Sequence, residues 1–162
     1  MDEKELIGLS AAQLTDMGIC PTCFNRAHNG CVFGDDSDKV VYRDKDIEVF
    51  FAGNPRADGH MCISTIEHFQ DMSQAPDEIN IKIALFSKRL MGLLCDVFGC
   101  VRVYLCTMCD GPANHFHVQL IPRYADEPRG SGNFVKPRNE YVFDKNKFDA
   151  VKNAIALFAE KM

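Results

Sequence analysis

The chain has 162 residues, 46% of them hydrophobic, a formal net charge of -5 and a pI near 5.5. That length supports one hydrophobic core and is short for two, and the acidic balance excludes the broad basic surface on which nucleic-acid binding usually depends. No basic segment leads into an apolar run near the start, and no apolar stretch approaches the ~20 residues of a membrane span, so a soluble, unsecreted, cytoplasmic protein is expected.

In chain order, residues 9–14 predict a short helix capped by Ser10 and ending before Gly18. The run Cys20-Pro-Thr-Cys23-Phe-Asn-Arg-Ala-His28-Asn-Gly-Cys31 predicts a knuckle-like loop, with turns from Pro, Asn and Gly and candidate ligands in its thiols and imidazole. With Cys106-x-x-Cys109 and four cysteines in apolar surroundings, this spacing fits reduced thiols rather than a disulfide framework. Residues 40–42 and 47–51 predict a hairpin across Asp44-Lys45-Asp46, and residues 61–66 a third strand after the turn from Asn54-Pro55 to Gly59. From 76 to 98, Ile79, Ile83, Phe86, Leu90, Leu93, Leu94 and Val97 recur at helical spacing, with Asp77 and Glu78 favouring the helix N-terminus. Residues 101–108 predict a strand, Asp110-Gly111-Pro112 a turn, and the stretch from Glu127 to Asn133 a flexible loop. Asp144 caps a last helix whose apolar face carries Phe148, Val151, Ile155 and Phe158. Hairpins, then a helix, then further strands predict the α+β class rather than a parallel doubly wound sheet.

The most informative segment is 114–124, Asn-His-Phe-His-Val-Gln-Leu-Ile-Pro-Arg-Tyr. Strand alternation puts His115, His117, Gln119 and Ile121 on one face and Phe116, Val118 and Leu120 on the other. Desolvating two imidazoles and an amide costs on the order of 1–3 kcal/mol each without partners, so such a row marks a site. The segment resembles the signature of the histidine triad superfamily, His-apolar-His-apolar-His followed by two apolar residues, with Gln119 in the third place. That variant is similar to the nucleotidylyltransferase branch. Residues 50–68, Phe-Phe-Ala-Gly-Asn-Pro-Arg-Ala-Asp-Gly-His-Met-Cys-Ile-Ser-Thr-Ile-Glu-His, follow the family's earlier segment, and the resemblance covers roughly residues 20–124. It implies a HIT-like α+β fold, an antiparallel sheet with a long helix packed on it and a C-terminal helix. One domain over 1–162 is expected, with a core at about 20–124 and an extension over 125–162. No internal repeat is present, and the resemblance therefore implies a homodimer.

The resemblance also implies roles. His117 is the nucleophile, forming a covalent nucleotidyl-histidine, and Gln119 hydrogen-bonds a phosphate oxygen. A side-chain amide cannot titrate, so acid catalysis from the third position is lost and good leaving groups are favoured. In zinc-bearing members the Cys-x-x-Cys pair is completed by the histidine after the third strand and the first triad histidine, giving Cys20, Cys23, His68 and His115 and a structural zinc. Two other sets stand beside it: Cys20, Cys23, His28 and Cys31, and a four-sulfur site using Cys106 and Cys109. The substrate-binding candidates are Phe50 or Phe51, of which only one can face a base, with Asn54 and Asn114.

Two departures bear on the pocket. Ala52 stands where the family carries a ribose-binding acid or amide, and Gly111-Pro112-Ala113-Asn114 replaces a Gly-Gln-Ser or Gly-Gln-Thr segment, with Asn114 either contacting phosphate or capping the turn. Arg129, Lys136 and Arg138 are loop charges within reach of phosphate or simply solvated. The expected function is a nucleotide-binding hydrolase or nucleotidyltransferase acting on a phosphoramidate, phosphoanhydride or dinucleoside polyphosphate. The alternatives are a catalytically weak nucleotide-binding module with structural zinc and, against the acidic balance, a zinc-knuckle nucleic-acid binder.

Overall fold

The structure, a computed structural model, describes residues 3–111, 113–130 and 132–160. Five strands, β1 (Val40–Arg43), β2 (Ile47–Phe51), β3 (Met61–Thr65), β4 (Arg102–Cys106) and β5 (His117–Arg123), form one antiparallel sheet in the order β1-β2-β3-β5-β4. Three helices, α1 (Glu3–Leu6), α2 (Ala11–Asp16) and α3 (Pro21–Ala27), precede the sheet. The long helix α4 (Asp77–Phe98) joins β3 to β4, while α5 (Gly132–Val135) and α6 (Lys145–Ala159) follow β5.

Alternation decides which side of the sheet is core. Val49, Phe51, Met61, Ile63, Phe116, Val118 and Leu120 point toward α4 and α6, where they bury against Phe86, Leu90, Leu94, Val151 and Ile155. The helix α4 begins after Pro76 with Asp77 and Glu78 in its first turn, and it stops at Gly99, whose φ of 71° is left-handed and costs glycine little. Its apolar stripe thus faces the strands, as helical spacing predicts. The opposite sheet face carries Cys62, Ser64, His117 and Gln119, brought side by side by the pairs Cys62↔Gln119 and Ser64↔His117.

Several elements differ from the sequence-based expectation. The knuckle-like loop is the helix α3: Pro21 occupies the first turn, and Cys20 caps it by accepting the backbone N–H of Cys23 on Sγ at 3.4 Å. Ser10 does cap α2, in a reciprocal capping box with Gln13. The triad ladder begins at His117 rather than at residue 114. The preceding residues pair irregularly instead, Phe116 N–H donating to the Phe69 carbonyl at 2.7 Å and the Phe116 carbonyl accepting from Thr65 N–H at 3.2 Å. The stretch expected as a flexible loop runs into the short helix α5. Pro112 and Ser131, within the expected turn and loop, lie outside the described residues. No helix among the described residues is long and apolar enough to cross a membrane.

Candidate active site and metal centre

Helix α3 brings the thiols of Cys20 and Cys23 against two histidines that follow β3 and precede β5. The Nδ1 atom of His115 lies 3.5 Å from Cys20 Sγ and 3.4 Å from Cys23 Sγ, and His68 Nδ1 lies 3.4 Å from Cys23 Sγ. All four ligand atoms fall within 4.8 Å of one another. Tetrahedral zinc with ordinary Zn–S and Zn–N bonds places its ligand atoms roughly 3.3–3.8 Å apart, so only a small closure separates this cluster from that geometry.

The surroundings fit a cation. His115 donates from Nε2 to the Thr65 carbonyl at 2.8 Å, which fixes the tautomer and turns the Nδ1 lone pair toward the sulfurs. Arg26, three residues after Cys23 on α3, donates from Nη1 to the same carbonyl at 2.8 Å and to the Ile66 carbonyl at 3.0 Å, pinning α3 to the end of β3. Burial, and then the neighbouring Cys20, push the Cys23 thiol up to about 11, while burial pushes His115 down to about 4. The Cys23 thiol thus resists ionisation until a divalent cation compensates its charge. Cys20, Cys23, His68 and His115 can therefore hold zinc, with all four positions filled by protein.

The other two ligand sets are not assembled. His28 packs its ring on Phe24 at 4.2 Å, and Cys109 Sγ sits 3.1 Å from Thr107 Oγ1, while Cys106 lies in β4 opposite Gln119. Among the described residues only Cys20, Cys23, His68 and His115 form a cluster of metal-binding side chains.

Two residues beyond His115, His117 is held in the opposite sense. Its Nδ1 donates to the His115 carbonyl at 2.8 Å, so the lone pair resides on Nε2, with the Gln119 amide nitrogen 3.4 Å away. The His117 ring is half-buried and Gln119 is buried. The imidazole thus presents an oriented nitrogen on the sheet face that carries Gln119.

The remaining candidates separate. Phe50, half-buried and paired with Cys62, shares the face of Gln119. Phe51 does not: it is buried among Phe98, Tyr141 and Phe148, at 6.1, 6.1 and 6.2 Å between ring centroids. Asn114 donates from Nδ2 to the Gln70 carbonyl at 2.6 Å, fastening the loop before β5 to the loop after β3. Asn54 is exposed, and its carbonyl accepts from Arg138 Nη1 at 2.8 Å. Lys136 pairs with Glu127 at 2.5 Å. Sequence reasoning gave no role to Arg26, Thr65, Arg56 or His60. The i,i+3 spacing of Cys23 and Arg26 was the signal for Arg26, once α3 is a helix.

His60 is 1% exposed and accepts the Arg56 backbone N–H on Nδ1 at 3.0 Å, leaving its proton on Nε2 beside Gln119 but outside hydrogen-bond geometry. Burial, then the charge of Arg138, pushes its pKa down to about 4.

The HIT domain family profile matches residues 34–126. An uncharacterized HIT-like protein of Methanocaldococcus jannaschii is 28% identical over 115 residues, covering 65% of this chain and 85% of that one. Among solved structures, a Zn-bound histidine triad family protein from Mycobacterium smegmatis aligns with a TM-score of 0.62 at 15% identity, over 88% of this chain and 97% of that chain. Plasmodium falciparum diadenosine triphosphate hydrolase, in complex with cyclomarin A, aligns with a TM-score of 0.57 at 16% identity, over 80% of this chain and 82% of that chain.

Proposed function

The chain belongs to the HIT family, and on that premise we propose that it is a nucleotide hydrolase or nucleotidyltransferase working through a covalent nucleotidyl-histidine at His117. One observation supports this: the His117 Nδ1 hydrogen bond to the His115 carbonyl, which leaves the lone pair on Nε2, turned toward the Gln119 amide. Attack of Nε2 on phosphorus forms a P–N bond as the P–O or P–N bond to the leaving group breaks. The oxygen of an acceptor then bonds to phosphorus, the P–N electron pair returns to Nε2, and the acceptor's proton passes to solvent. Gln119 orients a phosphate oxygen and cannot supply a proton. Phe50, on the face of Gln119, is the residue of the aromatic pair that stacks on a base in this reading, and a structural zinc held by Cys20, Cys23, His68 and His115 would tie α3 to the segment leading into β5.

A homodimer fits the same account. Strand β4 is a sheet edge, and Ile81 and Leu85 on α4 and Leu105 on β4 are 59%, 46% and 47% exposed, an apolar set for a second copy to cover. A single domain in a reducing, cytoplasmic setting fits eight free cysteines. Ala52, with no polar side chain at the position expected to meet ribose, favours a second reading: a nucleotide-binding module with weak catalysis.

Turnover of a panel of nucleoside phosphoramidates and dinucleoside polyphosphates by native protein and His117→Ala tests the choice. The expected result is a loss of at least ~10³-fold in His117→Ala with zinc content and fold retained. Equal activity in the two proteins removes the nucleophile from the account, and calorimetric nucleotide binding without product from either favours the binding module.

A further inference from the structure

On the face that carries His117 and Gln119, adjacent strands align Phe50, Cys62, Gln119 and Cys106 in one row. Two guanidinium groups approach this row from outside the sheet. Arg56, in the β2–β3 connection, donates from Nη1 to the Lys136 carbonyl at 2.6 Å, and Arg138 donates from Nη1 to the Asn54 carbonyl at 2.8 Å. Each arginine therefore fastens the other's segment, and the two like charges are brought close together. Burial, then the charge of Arg138, lowers the pKa of Arg56; Arg138 also acts on the buried Cys62 and on His60, and Arg56 on Cys106.

Arg56 is half-buried and Arg138 exposed. Lys136, between them in the chain, is neutralised by Glu127 at 2.5 Å, but neither Arg56 nor Arg138 forms an ion pair with a described carboxylate. Two buried donors are also left over. Arg56 Nε has no hydrogen-bond partner, and neither has His60 Nε2, on a side chain that is 1% exposed and shares the Cys62 side of β3 by alternation. Unpaired guanidinium groups and orphaned N–H donors gathered around the row that holds Gln119 are complementary to the oxygens of a phosphate.

We propose that Arg56, Arg138 and the Nε2–H of His60 form a subsite beside Gln119 for the phosphate adjoining the one that His117 attacks, so that the substrate is a nucleoside polyphosphate or dinucleoside polyphosphate rather than a phosphoramidate. The proposal rests on His117 as nucleophile and narrows the substrate of that same site. It also accounts for Gln119. As the Nε2–P bond forms, the bridging P–O bond breaks and its electron pair leaves on the departing phosphate oxygen, which at neutral pH needs no proton. The guanidinium charges stabilise that oxygen where a titrating third residue would have protonated it. In the second step a water oxygen bonds to phosphorus, the P–N pair returns to Nε2, and the water proton passes to solvent.

Calorimetric titration of the zinc-loaded, 162-residue protein with inorganic tripolyphosphate and with orthophosphate tests the subsite without requiring turnover. Tripolyphosphate is expected to bind more tightly than orthophosphate, Arg138→Gln to weaken it at least about tenfold, and Arg138→Lys to retain most of it. Where Arg56→Gln fails to fold for want of its bond to the Lys136 carbonyl, Arg138→Gln carries the test alone. Unchanged tripolyphosphate affinity in Arg138→Gln, or equal affinity for the two anions, overturns the proposal. The second readout is the ratio of kcat/KM for diadenosine tetraphosphate to that for adenosine phosphoramidate, expected to fall at least about tenfold in Arg138→Gln. Charge-dependent tripolyphosphate binding in a protein that turns over neither substrate would sink the nucleophile assignment and leave the subsite standing.

Discussion

The Nδ1 atom of His117 lies 2.8 Å from the carbonyl oxygen of His115, whose own Nδ1 faces the sulfurs of Cys20 and Cys23. The acceptor that orients the proposed nucleophile is thus a backbone atom of a residue in the candidate metal centre. Loosening the metal centre should move that carbonyl and, with it, the imidazole it holds.

Removing the metal or one ligand should therefore reach the active site. Cys23→Ser is expected to lower bound zinc from one per chain to below about a tenth, measured by atomic emission on protein dialysed against a weak chelator. The same variant should melt lower and lose activity together with its metal. Full stoichiometry in Cys23→Ser would show that Cys23 is not a ligand.

His60 predicts a pH dependence of stability. Its folded pKa, about 4, lies below the ordinary value of 6.5 because burial and Arg138 disfavour the charged ring. Between those values the unfolded chain binds the proton and the folded chain does not, so stability falls as pH drops through that window and is fully present above it. The contribution is roughly 1 kcal/mol between about pH 7.5 and about pH 5.5. Urea unfolding at the two pH values should show His60→Gln losing that much less stability than the native chain, and equal losses would contradict the assignment.

Gly59 tests the junction behind the site. Its φ is +73°, and a Cβ there would meet Phe98 Cγ at 2.8 Å and both Phe98 Cδ atoms at 3.0 Å. Phe98 is further held by Lys147, whose Nζ lies 4.9 Å from the ring centroid. Gly59→Ala should cost about 2 kcal/mol through backbone strain and overpacking, read from denaturant midpoints. A variant as stable as the native chain would show that Phe98 moves freely.

The parts of this molecule written in local pattern are legible in the sequence. The alternation of residues 115–121 placed His117 and Gln119 opposite Phe116, Val118 and Leu120, and helical spacing set α4 and α6 on the core. Cys20-Pro21 misled because the same pair that favours a turn also makes a helix N-cap with proline in the first turn, and only the fold decides between them. Alternation could say that Phe50 and Phe51 differ, yet assigning faces needed the Phe50↔Cys62 register. Arg56 and Arg138 lie far apart in the chain, and no local signal joins them. Their association depends on the C-terminal segment returning to the β2–β3 connection.

The most direct test of the central claim is intact-protein mass spectrometry of the zinc-loaded chain, quenched in acid-free denaturant during turnover of diadenosine tetraphosphate. The account predicts a mass increase of one adenylyl group, mapped to His117 by peptide sequencing and absent from His117→Ala. Product formation without an adduct, at equal rates in native protein and His117→Ala, would contradict it.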